Sequence, residues 1–309
     1  MILVLSENKD KSTTVVLSWL RYLNKQYIRV NKEDILKIKC FADGIYINLN
    51  EEKEINITKI TSFWYRRGFL NLKNELKNDW VSLSNFLNEE SYHLKNYIHY
   101  LLKEKNSLGS ISSSIANKLI VNELAVKSNL RIPKSYLFTE KKELLKVFKK
   151  NKLITKVIAG NGFVNLDDNQ YGVFYTTLLE DINDFPENFA PSYFQEYINK
   201  RYELRIFFLK GKFYSMAIFS QNDEQTKVDF RKYNFKKPNR NVAFKLPVSI
   251  EKRLLKLMDL MNLKCASIDM LVDNNLQYYF LEVNPIGQFG MVSYPCNYGI
   301  EKLIAKNLL

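Results

Sequence analysis

Three residues near the C-terminus have the types and spacing to hold a hard cation. Ser267–Asp273 and Tyr279–Pro285 are two apolar strand patterns joined by a short polar turn at Asn274-Asn275. In a hairpin of this length Asp269 and Glu282 lie opposite each other on one face, and Asn284, two residues on, shares that face. Two carboxylates and an amide oxygen then converge among apolar neighbours. Buried charge without partners is costly, so such carboxylates call for a cation or for basic side chains. The set is all oxygen, with no Cys or His nearby, which suits magnesium held jointly with nucleotide phosphates. The bland alternative is a solvent-facing strand with paired charges. The Asn-Pro-x-Gly continuation weighs against it, because an Asn-Pro turn fixes the amide at the strand end.

The elements that must position these residues follow from periodicity. Residues 1–6 read as a short buried strand, 12–25 as an amphipathic helix capped by Ser12 or Thr13, and Tyr27–Val30 as a second strand. This start suggests a small parallel α/β layer, without the glycine-rich fingerprint of a dinucleotide site. Residues 40–57 alternate as antiparallel strands do, and 75–104 carry helical spacing. Leu108–Ser114 reads as a linker, and Asn117–Ser128 as a further helix. Strands are expected around 153–178, with Lys156 inside an apolar one, and Pro186 and Pro191 mark a second boundary. The strands FQEYI, ELRIFFL, KFYSMAIF and FKLP, the helix Ile250–Met261, the metal hairpin and a C-terminal helix complete the chain.

Composition narrows the function classes. The 309 residues are 46% hydrophobic and 26% charged, which excludes a wholly disordered chain. No apolar run reaches the roughly 18 residues of a membrane span, and the N-terminus lacks signal-peptide character. Cys40, Cys265 and Cys296 are far apart and fit neither a disulfide framework nor a CxxC metal site, so a reducing cytoplasm is the default. With 46 Lys and Arg against 33 Asp and Glu, the net charge of +13 favours an anionic partner. Scattered Lys-Lys pairs also fit a simply solvated surface. His93 and His99 lie on one helical pattern, so no Ser-His-Asp or Cys-His arrangement is supported. No nucleic-acid-binding motif appears.

On these residues the chain resembles the ATP-grasp superfamily over about residues 115–300. The segments from Ser267 to Leu271 and from Phe280 to Phe289 resemble its metal-binding end. Lys118 and Lys156 resemble its two phosphate lysines, the second followed by a glycine loop. Gln195-Glu196-Tyr197-Ile198 resembles the adenine hinge, and Glu203 the carboxylate for ribose. A narrower resemblance, to the graspetide synthetases of the microviridin type and their grasp-with-spasm subtype, rests on further segments. These are Trp64-Tyr65-Arg66-Arg67, Val173–Thr177, Tyr202-Glu203-Leu204-Arg205, Ser220-Gln221 and Val228–Tyr233.

The resemblance implies an α/β (α+β) ATP-grasp fold of three parts. An N-terminal domain covers 1–110, a central lid domain 111–192, and a C-terminal antiparallel-sheet domain 193–309, with ATP between the last two. It implies ATP and Mg²⁺ as cofactors, a ribosomally made precursor peptide as partner, a homodimer, and neither nucleic acid nor membrane. Asp269, Glu282 and Asn284 would hold metal; Lys118 and Lys156 would clamp phosphates; Glu196, Tyr197 and Ile198 would meet adenine mainly through their backbone. Arg205 and Arg231 would bind the substrate carboxylate or the transferring phosphoryl, the alternative being structural ion pairs, for Arg205 with Asp229. Commoner ATP-grasp ligases often carry an arginine two residues before the first metal aspartate. Here that position is Ser267, which makes Arg205 or Arg231 more necessary. Glu203 would serve ribose, the alternative being a cross-strand partner of a lysine. Two other readings are a ligase that adds glutamate to a protein tail, and a non-catalytic basic protein on a degenerate ATP-grasp fold that binds peptide or nucleic acid.

Overall fold

The computed structural model describes residues 1–50, 53–72, 81–114, 116–158, 163–167, 170–221, 234, 236 and 238–309, and only the backbone of 163–167, 170, 171 and 173. Arg231, Asp229, the glycine loop at 159–162 and the Val228–Tyr233 segment lie outside the described residues. The chain forms two compact units. One contains Met1–Ser114, Gln288–Ser293 and Tyr298–Leu309; the other contains Ile115–Gly287 and Tyr294–Asn297.

The first unit begins as expected with β1 (Ile2–Ser6), α1 (Lys11–Tyr22) and β2 (Tyr27–Asn31). The cap of α1 is Asp10, whose carboxylate accepts from the Thr13 N–H at 3.1 Å, and not Ser12 or Thr13. A carboxylate placed there also favours the positive end of the helix. The antiparallel strands β3 (Ile35–Phe41), β4 (Gly44–Leu49) and β5 (Lys53–Asn56) follow. Next come β6 (Ser62–Tyr65), β7 (Asn71–Leu72), α2 (Val81–Lys103) and β8 (Asn106–Leu108). A parallel sheet has the order β2-β1-β6-β8, and a second sheet the order β5-β4-β3-β7. The expected linker therefore starts with a strand. Asn106–Leu108 lacks β-branched residues, so only its pairing with β6 makes it visible.

The second unit opens with α3 (Lys118–Lys127), capped by Asn117, which accepts from the N–H groups of Leu119 and Ile120. It continues through β9 (Ser135–Glu140), α4 (Lys141–Phe148), β10 (Leu153–Thr155), β11 (Phe163–Asp167), β12 (Gln170–Val173), β13 (Thr177–Leu178) and β14 (Asn188–Glu196). β15 (Lys200–Leu209), β16 (Lys212–Phe219), β17 (Arg240–Phe244), α5 (Val248–Leu260), β18 (Cys265–Asp273) and β19 (Tyr278–Asn284) complete it. The strand expected at FKLP is displaced to β17, which pairs with β16. Pro191 sits in β14 where its pairing with β9 shifts register, as proline's missing donor favours.

Two larger sheets carry this unit, β13-β10-β14-β9 and β17-β16-β15-β18-β19, beside the two-stranded β11-β12. On the second, Leu204, Ile206, Phe208, Ile268, Met270, Val272 and Phe280 form a core with Val121 and Ala125 of α3 and Leu254, Leu257 and Met258 of α5. Alternation along β15 and β18 sends Glu203, Arg205, Ser267 and Asp269 to the other face. The short helices α6 (Gly290–Ser293) and α7 (Ile300–Asn307) belong to the first unit, where α7 packs against α1.

Candidate functional site

Strand register brings the hairpin residues together. Arg205 lies opposite Asp269, Asp269 opposite Glu282, and Ser267 opposite Asn284. The expected convergence is present, but simple alternation does not produce it. Met270 pairs with Phe280 while Asp269 pairs with Glu282, so Leu281 is an extra, bulged residue. Without it Leu281 would face Asp269 and Glu282 would turn toward the helices.

Beyond β19 the chain turns sharply. The Gly287 N–H donates to the Asn284 carbonyl at 3.0 Å, and the Ile286 N–H to Asn284 Oδ1 at 3.1 Å. These bonds hold the amide in place at the strand end. Position 287 must be glycine: a Cβ there would meet Ser267 Cβ and Oγ at 2.3 Å. Ser267 is buried beneath this turn, so an arginine side chain has no room at 267. A guanidinium reaches Asp269 from Arg205, one strand over.

Each acidic side chain meets a basic one. Arg205 Nη1 donates to Asp269 Oδ2; the partner is a metal candidate, where the sequence suggested Asp229. Lys118, the first residue of α3, places Nζ 3.5 Å from Glu282 Oε2 and donates to the Val157 carbonyl at 2.9 Å. Glu203 is buried, and its Oε1 accepts from Lys200 Nζ at 2.5 Å and from Ser220 Oγ at 3.1 Å. Burial pushes the Glu203 carboxyl above the usual carboxylate range, against the pull of Lys200 and Ser220. Glu203 does have a lysine partner, though on its own strand rather than across the sheet.

The remaining candidates lie on the β13-β10-β14-β9 sheet. Lys156 follows the end of β10 instead of sitting inside a strand, and its Nζ lies 5.7 Å from the centre of the Tyr193 ring. That tyrosine's hydroxyl accepts from Asn122 Nδ2 of α3 at 3.0 Å. The N–H groups of Glu196 and Tyr197 donate to the carbonyls of Lys134 and Lys152, both at 2.8 Å. Among the described residues the Ile198 N–H has no backbone acceptor.

The donor set can be tested against a divalent ion. Among the described residues no group of three or more His, Cys, Asp and Glu side chains could hold a metal. The hairpin offers two carboxylates and one amide oxygen. This fits magnesium, which takes one or two carboxylates and completes its shell with water and phosphate oxygens, and fits a self-sufficient metal cage poorly.

A second charged cluster was missed in the sequence. Arg66 Nε and Arg67 Nε lie 3.2 and 3.0 Å from Asp10 Oδ2, with Asp10 and Arg66 buried. Arg66 also donates to Gln288 Oε1 at 3.3 Å and lies over the Phe289 ring. Trp64 and Tyr65 are core. The available signal was an aspartate just before a helix in a chain with two arginines ending a buried strand.

No protein-family model and no curated protein matches the chain. Solved structures do. The macrocyclase MdnC from Microcystis aeruginosa MRC, bound with precursor peptide MdnA, is similar over 100% of this chain and 99% of its own, at 24% identity and a TM-score of 0.80. A Chryseobacterium gregarium RiPP-associated ATP-grasp ligase, in complex with ADP and a leader and core peptide, is similar over 99% and 94%, at 24% identity and 0.82. The ATP-grasp ligase PsnB, complexed with minimal precursor, Mg and ADP, is similar over 99% and 96%, at 16% identity and 0.74. The chain thus has the ATP-grasp ligase fold from end to end.

Proposed function

We propose that this protein is an ATP-dependent peptide ligase. It activates Asp or Glu side chains of a precursor peptide and joins them to Thr or Ser hydroxyls, or Lys amines, of the same peptide. The observation that carries this reading is the register that sets Asp269 against Glu282, with Asn284 beside them and Arg205 and Lys118 in contact. A carboxylate pair with two cations beside it suits phosphoryl transfer, in which positioning and charge neutralisation do most of the catalysis. The similar solved ligases, bound with precursor peptides, ADP and Mg, agree with this assignment.

Asp269, Glu282 and Asn284 would hold magnesium. That ion would supply charge neutralisation to the phosphoryl transfer. Lys118 and Lys156 bind phosphate oxygens as compact point charges. Glu196, Tyr197 and Ile198 frame the adenine, with the Ile198 N–H as donor, and Glu203 takes the ribose side. Arg205, with Arg231, orients the peptide carboxylate as it takes the phosphoryl group from ATP, leaving ADP. The hydroxyl or amine then attacks the acyl phosphate; phosphate leaves, and an ester or amide remains. The free protein is a homodimer in this reading.

The test is the intact mass of candidate precursor peptides, rich in Thr and Asp or Glu, after incubation with the protein, ATP and Mg²⁺. The expected result is loss of one water per link. A gain of glutamate residues would replace this reading with glutamate ligation. An unchanged peptide alongside intact ATP, across a panel of such precursors, would count against catalysis.

A further inference from the structure

The metal candidates are already neutralised from within. Three acid–base pairs lie along one sheet face: Lys200 with Glu203, Arg205 with Asp269, and Lys118 with Glu282. They are not equally deep. The side chains of the first pair are 3% and 9% exposed, those of the second 12% and 16%, and those of the third 17% and 32%. The sealed pair is the one without a metal candidate. The two open pairs each join a proposed metal carboxylate to a proposed ligand-binding cation.

We infer that Arg205 and Lys118 are exchangeable counter-ions. They hold Asp269 and Glu282 while no divalent cation is bound, and they swing to the anionic ligands when a cation takes the carboxylates. This deepens the proposed function and rests on its metal assignment. The physical ground is occupancy. The guanidinium on Asp269 Oδ2 and the ammonium near Glu282 Oε2 lie where an entering ion must bind. Metal alone must displace both cations, and each would then give up its anion, so the free protein binds metal weakly. Nucleotide phosphates and the peptide carboxylate supply the missing anions. Metal and anionic ligand therefore favour each other through the protein, and the coupling is reciprocal. Lys118 adds a second consequence: its bond to the Val157 carbonyl, beside Lys156, breaks when it moves.

The experiment is Mn²⁺ titration of the nucleotide-free protein, followed by electron paramagnetic resonance of the unbound ion. Wild type is compared with Arg205→Ala, Lys118→Ala, Arg205→Lys and Asp269→Asn. Removing a resident cation leaves its carboxylate open, so Arg205→Ala and Lys118→Ala should each tighten Mn²⁺ about tenfold, within the usual range of site-to-site coupling. Arg205→Lys, which keeps a cation, should stay near wild type, and Asp269→Asn should lose the site. If Asp269→Asn binds as wild type does, the metal assignment itself falls. If it loses binding while neither alanine variant tightens, the counter-ion inference is overturned and the metal assignment stands. Circular dichroism of each variant separates unfolding from lost binding; Lys118→Ala, at a helix start, decides the matter if Arg205→Ala does not fold.

Discussion

Asp10 and Asp269 both face arginine, and their surroundings give them opposite tasks. Asp10 is enclosed by its own protein: one oxygen caps α1 through the Thr13 N–H, and the other meets Arg66 and Arg67. Arg66 is in turn fixed by Gln288 and the Phe289 ring. Asp269 meets Arg205 and, across the strand pair, a second carboxylate. Like charges facing each other disfavour the doubly ionised state unless a cation intervenes. Two arginines around one aspartate make a fastener; two facing carboxylates, each meeting a less buried cation, make a place where a divalent ion can exchange for them.

The sharpest way to break this contrast is at the site itself. Glu282→Gln keeps shape and removes charge, so turnover of ATP and peptide should fall to background while the thermal melt barely moves. Arg205→Ala should cost roughly 10³-fold in turnover, the scale of an arginine that stabilises a transferring phosphoryl, and spare nucleotide binding in a fluorescence titration. If either variant instead unfolds the protein, Asp269 is a fastener like Asp10. The reciprocal experiment is Asp10→Ala, which strands two arginines near a buried position. It should lower stability by about 3–5 kcal/mol in urea unfolding, the usual result of breaking a buried pair, and leave Mn²⁺ binding unchanged.

His99 extends the comparison to a buried base without an acid. Its ring nitrogens have no hydrogen-bond partner among the described residues, and the nearest ring is Phe63 at 6.4 Å between centroids. Burial, with a smaller push from Lys95, lowers its pKa from 6.5 to about 4. Between these values the unfolded chain binds the proton and the folded one does not. The stability contribution is therefore complete above pH 6.5 and is lost as pH falls toward 4. The loss should reach up to about 3 kcal/mol, and His99→Leu should flatten that limb of the pH–stability curve.

How far the chain itself disclosed this contrast differs between the regions. The hairpin was legible because Asp269, Glu282 and Asn284 stand in apolar strands with a short turn. Yet the correct pairing depends on the Leu281 bulge, which residue types do not announce. Deleting Leu281 removes the extra residue and leaves Glu282 directly after Phe280, still opposite Asp269, so the variant should keep turnover. A deletion variant that folds but loses turnover would show that the bulge does more than set the register. The β1-α1-β2 start was legible from hydrophobic periodicity. The Asp10 cluster was not, because its members come from positions 10, 66, 67 and 288, and nothing local joins them. Lys156 was misplaced by one strand end, since a single polar residue after an apolar run does not say where pairing stops. β8 escaped because a three-residue edge strand with a single apolar residue, Leu108, depends wholly on its neighbour.

The smallest expected effect tests how finely the site is held. Gly287 closes the turn over Ser267, and a methyl group there would overlap Ser267 Cβ and Oγ at 2.3 Å. Neither side can yield freely: Ser267 is buried in a central strand, and the Gly287 N–H is tied to the Asn284 carbonyl. Gly287→Ala should therefore cost about 1–3 kcal/mol, as overpacking does, and weaken Mn²⁺ binding by moving Asn284. Ser267→Gly should have little effect alone and recover most of that loss when combined with Gly287→Ala, because the collision is between these two side chains. A double-mutant cycle reads this coupling directly. Additive costs would mean that the turn relaxes around the methyl group, and that the amide of Asn284 is held by the Ile286 N–H more than by the fit of glycine against serine.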